Sequence, residues 1–167
     1  MIRSRIKLLR NMPLFYSLED EALEIILSDA DTVTLEPGEF FFRQGDDAHY
    51  MYVLESGSVS IQKAWQDREM CIGNLGPGDC FGEMALIESS VRSASVRAET
   101  ACSAVEISPL GLQALMENAV EQYILVQSNI ARELCRRLRM ADESRMMVVE
   151  PHHPKVDEQD LSWPPIS

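Results

Sequence analysis

Histidine is scarce in this chain. There are three in 167 residues, with His49 alone and the His152-His153 pair between two prolines near the end. A lone histidine and a pair held between prolines in a tail do not make a ligand cluster, so no metal site is expected. Cysteine is limited to Cys71, Cys80, Cys102 and Cys135, with no C-x-x-C pair. Cys71, Cys102 and Cys135 fall inside apolar patterns, where Cys acts as a small core residue, and a reduced compartment fits. No apolar run approaches the roughly 18 residues that a membrane span needs. The basic start, MIRSRIKLLRNMP, lacks the uninterrupted apolar stretch of a signal peptide. A cytoplasmic location and no membrane partner are expected. Clustered positive charge is also missing. Lys and Arg number 15 against 27 Asp and Glu, for a net charge of −12. The dense basic run Arg136, Arg137 and Arg139 is flanked by acids and reads as a solvated helix face. Nucleic-acid backbones are held by clustered Lys and Arg, so no nucleic-acid partner is expected. There is no P-loop, no nucleophile–base pairing and no internal repeat, and the chain is not expected to be an enzyme.

What is present suffices for one domain with a core of its own, since 46% of the residues are hydrophobic. Residues 1–30 read as a helical segment, with Leu8, Leu9, Leu14, Phe15, Leu18, Leu23, Ile26 and Leu27 at helical spacing and a break at Pro13. Ser17, before Glu19, Asp20 and Glu21, is expected to cap the second part. Residues 31–108 are a string of short strands with turn signals at Pro37-Gly38, Gly45-Asp46-Asp47, Gly57 and Gly76-Pro77-Gly78-Asp79. That spacing predicts an all-β sandwich or barrel and not a parallel α/β sheet, making the chain mainly β with flanking helices. Residues 109–148 return to helix. Ser108-Pro109 opens a short one, and a long one follows from about Ala119 to Met147. The long helix carries the stripe Val120, Ile124, Ala131, Leu134, Leu138 and Ala141, close to a heptad. It is expected to pack partly on its own domain and partly on a second copy. Residues 149–167 form an acidic, proline-rich tail.

The most informative stretch is Phe81–Thr100, FGEMALIESSVRSASVRAET. Gly82-Glu83 opens a short apolar run, Arg92 follows nine positions after Glu83, and the small residues Ser93, Ala94 and Ser95 come next. A cyclic phosphodiester carries one negative charge and wants a fixed guanidinium with converging backbone N–H groups. Arg92 supplies the first. The turn at Gly82 and a short helix from Glu83 to Ile87 supply the second. Ser93 and Ala94 let the backbone approach closely, and Ser93 Oγ offers a further hydrogen bond. Glu83 would repel a phosphate but suits a ribose 2′-hydroxyl, at the other end of the same ligand.

This segment resembles the phosphate-binding cassette of the cyclic nucleotide-binding domain family. That family includes bacterial catabolite activator proteins, regulatory subunits of cAMP-dependent protein kinase and cyclic nucleotide-gated channels. LFYSL near the start resembles the family's first helical segment, and GEFFFRQGDDAHYMYVLESGSVSI its glycine-punctuated strands, so the likeness runs over about residues 8 to 145. It implies that Gly82 and Ala85 present backbone N–H groups to the sugar-phosphate, with Met84 between them. It implies further that Glu83 holds the 2′-hydroxyl, that Arg92 pairs with the phosphate beside Ser93 and Ala94, and that Ile61 and Ile72 line the pocket. The loop Glu88-Ser89-Ser90-Val91 stands where the family often has Gly or Pro. Ser93 after the cassette arginine leans towards cAMP, with cGMP the second candidate, and Asp142 on the long helix is the candidate base cap.

The resemblance implies an antiparallel β-roll or jelly-roll with N-terminal helices and a long C-terminal helix, and a regulatory sensor that needs no cofactor. It would bind a cyclic nucleotide and relay that event through its C-terminal helices to an effector protein or to a second copy in a homodimer. The short acidic tail stands where bacterial activators carry a helix-turn-helix domain, so a stand-alone module, or one subunit of something larger, is expected. The competing reading is a protein-interaction scaffold of the same fold that takes no nucleotide. A cupin-type metalloenzyme would need clustered His and Glu on adjacent strands, and the β-zone has only His49.

Overall fold

The computed structural model describes residues 2–66, 68–87 and 90–148. They divide into two compact units, with the boundary between Ala131 and Arg132. In the first unit the N-terminal segment forms α1 (Ile2–Arg10), a 3₁₀ turn (Pro13–Phe15) and α2 (Asp20–Leu27). Pro13 stands at the first position of the turn, where its missing N–H costs nothing. Ser17 does not cap α2. It adopts φ +63°, and the N-cap position belongs to Glu19, whose side chain makes no capping bond. Gln122 accepts from the Glu19 amide instead, at 3.1 Å. A long-range partner thus replaces the local cap that the sequence suggested.

Eight strands follow among the described residues: β1 (Asp31–Leu35), β2 (Phe40–Phe42), β3 (Met51–Ser56), β4 (Val59–Trp65), β5 (Arg68–Leu75), β6 (Cys80–Phe81), β7 (Ser95–Ala98) and β8 (Cys102–Ile107). They make two antiparallel four-stranded sheets, in the orders β1-β8-β3-β6 and β2-β7-β4-β5. This is the expected β-roll with flanking helices. Tyr52 and Leu54 of β3 face Val59, Val96 and Ala98 of the other sheet, while Met51 and Val53 join the helical core with Leu9, Phe15, Leu23, Ile26 and Leu115. Apolar side chains on both faces explain why Met51–Leu54 reads as a continuous apolar run rather than an alternation. Edge strand β5 is the opposite case and is mostly exposed. Cys71 therefore lies in the open, as does Cys135, whereas Cys102 is buried as expected.

The chain returns to helix at Ser108, whose Oγ accepts from the Leu110 amide (3.2 Å) and donates to Asp29 Oδ2 (2.6 Å). Two helices follow, α3 (Pro109–Asn118) and α4 (Val120–Val148). In α3, a Cβ at Gly111 would fall 2.8 Å from the carbonyl oxygen of Ile26, so two helix backbones meet there. In α4, Val126, Asn129 and Ile130 are buried, and the Asn129 amide donates to the carbonyls of Leu14 (3.3 Å) and Tyr16 (2.9 Å). Val120 and Ile124, from the predicted stripe, are exposed. The face of α4 that packs on its own domain is therefore not that stripe.

Within the second unit, α4 continues with Leu134 and Leu138 exposed. Buried Glu133 accepts from Arg136 (2.6 and 2.8 Å) and Arg137 (2.9 Å). Hydrogen bonds from Arg136 hold its carboxyl below the usual range, against the effect of burial. Two of the three arginines of the basic run are thus paired within the helix. The tail 149–167 and His152-His153 lie outside the described residues.

Candidate functional site

The site is built where β6 runs into the second 3₁₀ turn, Glu83–Leu86. Gly82 makes the junction with φ +73°, a left-handed conformation that costs a side-chain-bearing residue. Space demands glycine as well. A Cβ there would lie 2.6 Å from Arg92 Nη1, 3.2 Å from the Tyr50 carbonyl oxygen and 3.3 Å from Phe42 Cε1. Within the turn the Ala85 amide donates to Gly82 O (3.1 Å) and the Ile87 amide to Met84 O (3.0 Å). Glu83, Ala85 and Leu86 are buried, while Met84 and Ile87 are exposed. The Ala85 amide thereby helps to close the turn.

Arg92 reaches the same point from another segment. Its main chain is pinned to the loop between β2 and β3: Gly45 N donates to Arg92 O (2.9 Å), and Arg92 N to Asp46 O (2.8 Å). Ala48 N donates to Ser90 O (3.0 Å), and Asp47 and Val91 form an isolated bridge. The side chain turns inward and is only 6% exposed. Its Nη2 donates to Tyr50 O (2.7 Å) and its Nη1 to Gly82 O (3.3 Å). Its Cζ lies 3.8 Å from the centroid of the Phe42 ring and 6.0 Å from that of Tyr52. Nε is buried with no hydrogen-bond partner. Burial pulls the guanidinium below its ordinary pKa, while Tyr52, Asp46, Glu106 and Glu83 favour the charged form. A desolvated cation with an unused N–H is a strained arrangement that an anion would relieve.

Residues 32–119 match the family model described as "Cyclic nucleotide-binding domain". The chain belongs to that family. It is 33% identical over 141 residues to the "Cyclic AMP receptor protein" of Thermus thermophilus, covering 80% of this chain and 61% of that protein. The crystal structure of the Thermus thermophilus Catabolite Activator Protein superposes with a TM-score of 0.71 at 32% identity, over 81% of this chain and 62% of the other. The structure of CLP from Xanthomonas campestris, described as a c-di-GMP responsive global regulator, gives 0.63 at 31% identity, over 79% and 66%. The chain thus spans about three-fifths of the Thermus protein's length.

The other predicted ligand-binding residues lie on separate elements. Ser93 is exposed and Ala94 half-buried, in the bend that leads into β7. Ile61, half-buried on β4, pairs with Val96 and Gly73. Ile72, on the edge strand, is 56% exposed. Asp142 stands in α4, but its side chain lies outside the described residues, as do Glu88 and Ser89. Among the described residues no group of three His, Cys, Asp or Glu is placed to hold a metal ion. No helix among them is long and apolar enough to cross a membrane.

The sequence did not reveal the aromatic floor. Tyr52 and Phe81 stack with centroids 5.4 Å apart, Phe41 meets Phe81 edge-on at 5.0 Å, and Phe42 closes the group at 5.9 Å from Tyr52. Tyr52 also hydrogen-bonds Glu106, its cross-strand partner on β8, and burial first and then that bond push the phenol pKa up. The signal was the run Phe40-Phe41-Phe42, which reads as strand and gives no hint that two of its rings serve one site.

Proposed function

We infer that this protein is a cyclic mononucleotide sensor, with cAMP the preferred ligand and cGMP the alternative. The observation that carries the reading is the Arg92 guanidinium, buried beside Gly82 and Glu83 with Nε–H unpartnered. Phosphate at Arg92 and ribose 2′-hydroxyl at Glu83 account for a cation and an acid buried in one place. Ser93, a small residue with a hydroxyl after the arginine, supports cAMP over cGMP. A ligand at Arg92 bears on the turn Glu83–Leu86, and Leu86 belongs to the same apolar core as α2, α3 and the start of α4. Movement of the cassette would therefore be felt by the helices. The ligand can bias them only by its differential affinity for the two arrangements.

The output would pass to a second copy or an effector protein. Val120, Ile124, Leu134 and Leu138 are exposed apolar residues of α4 and support a homodimer through that helix. The net charge of −12 favours a protein over a nucleic acid as the direct partner of this chain.

The test is calorimetric titration of wild type and Arg92→Ala with cAMP, cGMP and c-di-GMP. Wild type should take up a cyclic mononucleotide. Arg92→Ala should bind it about 30- to 1000-fold more weakly, the equivalent of roughly 2–4 kcal/mol in charged hydrogen bonds. A folded wild type that ignores all 3′,5′-cyclic mononucleotides at millimolar concentration would defeat the proposal. Binding of c-di-GMP alone would replace it with a cyclic dinucleotide reading.

A further inference from the structure

A regular strand sends consecutive side chains to opposite faces. In β2 this alternation fails: Phe41 and Phe42 both touch the rings of Tyr52 and Phe81. The cause is an irregular register against β7, where Phe40 pairs with Arg97 but Phe42 with Val96, so an extra residue is taken up between them. Bulges of this kind re-aim side chains, often beside functional sites. Here the bulge brings the Phe42 ring face to 3.8 Å from Arg92 Cζ.

The packing there is specific in three ways. Both Nη atoms donate to main-chain carbonyls, of Gly82 and Tyr50, which fixes the guanidinium in rotation. Phe42 covers one of its faces and fixes its height above the floor. Gly82 approaches so closely that a single added carbon would meet both Nη1 and the edge of Phe42. Among the donors of this side chain, Nε alone is buried without a partner. A guanidinium out of water is stabilised by the negative face of an aromatic ring, and more so when desolvated.

We propose that Phe42 is a positioning residue for anion binding: its ring face seats the Arg92 guanidinium against the Gly82 turn and holds in one orientation the cation that pairs with the ligand's phosphate. This rests on the nucleotide-sensor reading above and extends it to a residue outside the Phe81–Thr100 segment. The role belongs to the ring face rather than to apolar bulk. Leucine at position 42 would keep the packing and lose the seat, and another aromatic residue would retain it.

Two measurements test this. The first is the Kd for cAMP of wild type, Phe42→Leu, Phe42→Tyr and Phe42→Trp, with thermal melts alongside. Phe42→Leu should bind roughly ten- to thirtyfold more weakly, the equivalent of about 1.4–2 kcal/mol, with at least one aromatic variant within threefold of wild type. Unchanged binding by Phe42→Leu, or loss in both aromatic variants as deep as in Phe42→Leu, overturns the proposal. The second needs no ligand and is independent of whether cAMP binds. In the NMR spectrum of the ligand-free protein, the Arg92 Nε–H signal is identified by its loss in Arg92→Lys. It should be shifted upfield by the ring and slow to exchange with water, and Phe42→Tyr should keep both properties. A signal at the ordinary arginine position with rapid exchange overturns the proposal, even if the Phe42→Leu variant fails to fold.

Discussion

A Cβ placed on Gly82 would stand 2.6 Å from Nη1 of Arg92, closer than any real methyl contact. The turn and the cation are thus fitted to one another. Gly82→Ala should act at two levels. The φ of +73° costs an L-residue about 1–3 kcal/mol of stability, which urea unfolding will measure. The methyl group must also push the guanidinium off the Tyr50 and Gly82 carbonyls. Affinity for cAMP should then fall nearly as far as in Arg92→Ala, and the two substitutions combined should be little worse than either alone. Full additivity in that double-mutant cycle would mean that the two residues act separately.

Glu83 is buried at the head of the same turn. Its proposed partner, the 2′-hydroxyl, gives a prediction about ligand choice instead of overall affinity. Wild type should bind cAMP more tightly than 2′-deoxy-cAMP by about tenfold or more, because a hydrogen bond to a charged group contributes roughly 1.5–3 kcal/mol. In Glu83→Gln that preference should shrink to a few-fold, with cAMP weakened and the deoxy ligand little changed. Calorimetry with both ligands on both proteins decides it, and an undiminished preference in Glu83→Gln would place the sugar contact elsewhere.

Much of this was legible in the chain. Glycine turns at Gly38, Gly45, Gly57 and Gly78 all carry positive φ and do punctuate strands. Ser108-Pro109 does start a helix. Gly82 and Arg92, which the structure brings into contact, stood out because a Gly-Glu pair and an arginine are an unusual combination at short separation. Other features depend on contacts between residues far apart. The cap of α2 comes from Gln122, a side chain 103 residues away from Glu19. The face on which α4 packs follows Val126, Asn129 and Ile130, while the better heptad lies elsewhere, because Asn129 answers two open carbonyls of the Leu14–Tyr16 turn. Phe42 could not be placed under Arg92 without knowing that β2 is bulged. Periodicity reports local geometry, and these three features are set by tertiary partners.

Gly111 shows such a partner acting on stability alone. Its Cα hydrogen faces the Ile26 backbone, and a Cβ would sit 2.8 Å from that carbonyl oxygen and 3.3 Å from Ile26 Cα. On helix propensity, Gly111→Ala should stabilise α3 by about 1 kcal/mol. In this fold the clash should outweigh that gain, since the obstacle is backbone that cannot rotate away, and a net loss of about 1–3 kcal/mol is expected. Chemical denaturation provides the measurement. A stabilised Gly111→Ala would show that α2 and α3 are free to separate at this contact.

Tyr52 should reveal itself at alkaline pH. Its ring is buried between Phe81 and Arg92, and its hydroxyl bonds Glu106 across the β3–β8 pair. Burial and that bond raise the phenol pKa in the folded protein, whereas the unfolded chain keeps the ordinary value near 10. A raised folded pKa means that the stabilisation is fully present below about pH 10 and lost as pH rises, because the unfolded state releases a proton that the native state retains. Tyr52→Phe removes the hydroxyl and leaves the carboxylate without its donor, so at pH 7 it should be less stable than wild type by about 1–3 kcal/mol. Above pH 10 the wild-type advantage should shrink by about 1.4 kcal/mol for each pH unit, since phenylalanine has no proton to lose. Other tyrosines titrate alike in both proteins and cancel in the difference. Urea unfolding of the pair at pH 7, 9, 10 and 11 follows that gap directly. A gap that stays constant from pH 7 to 11 would mean that the phenol titrates normally in the folded state and is not tied to Glu106.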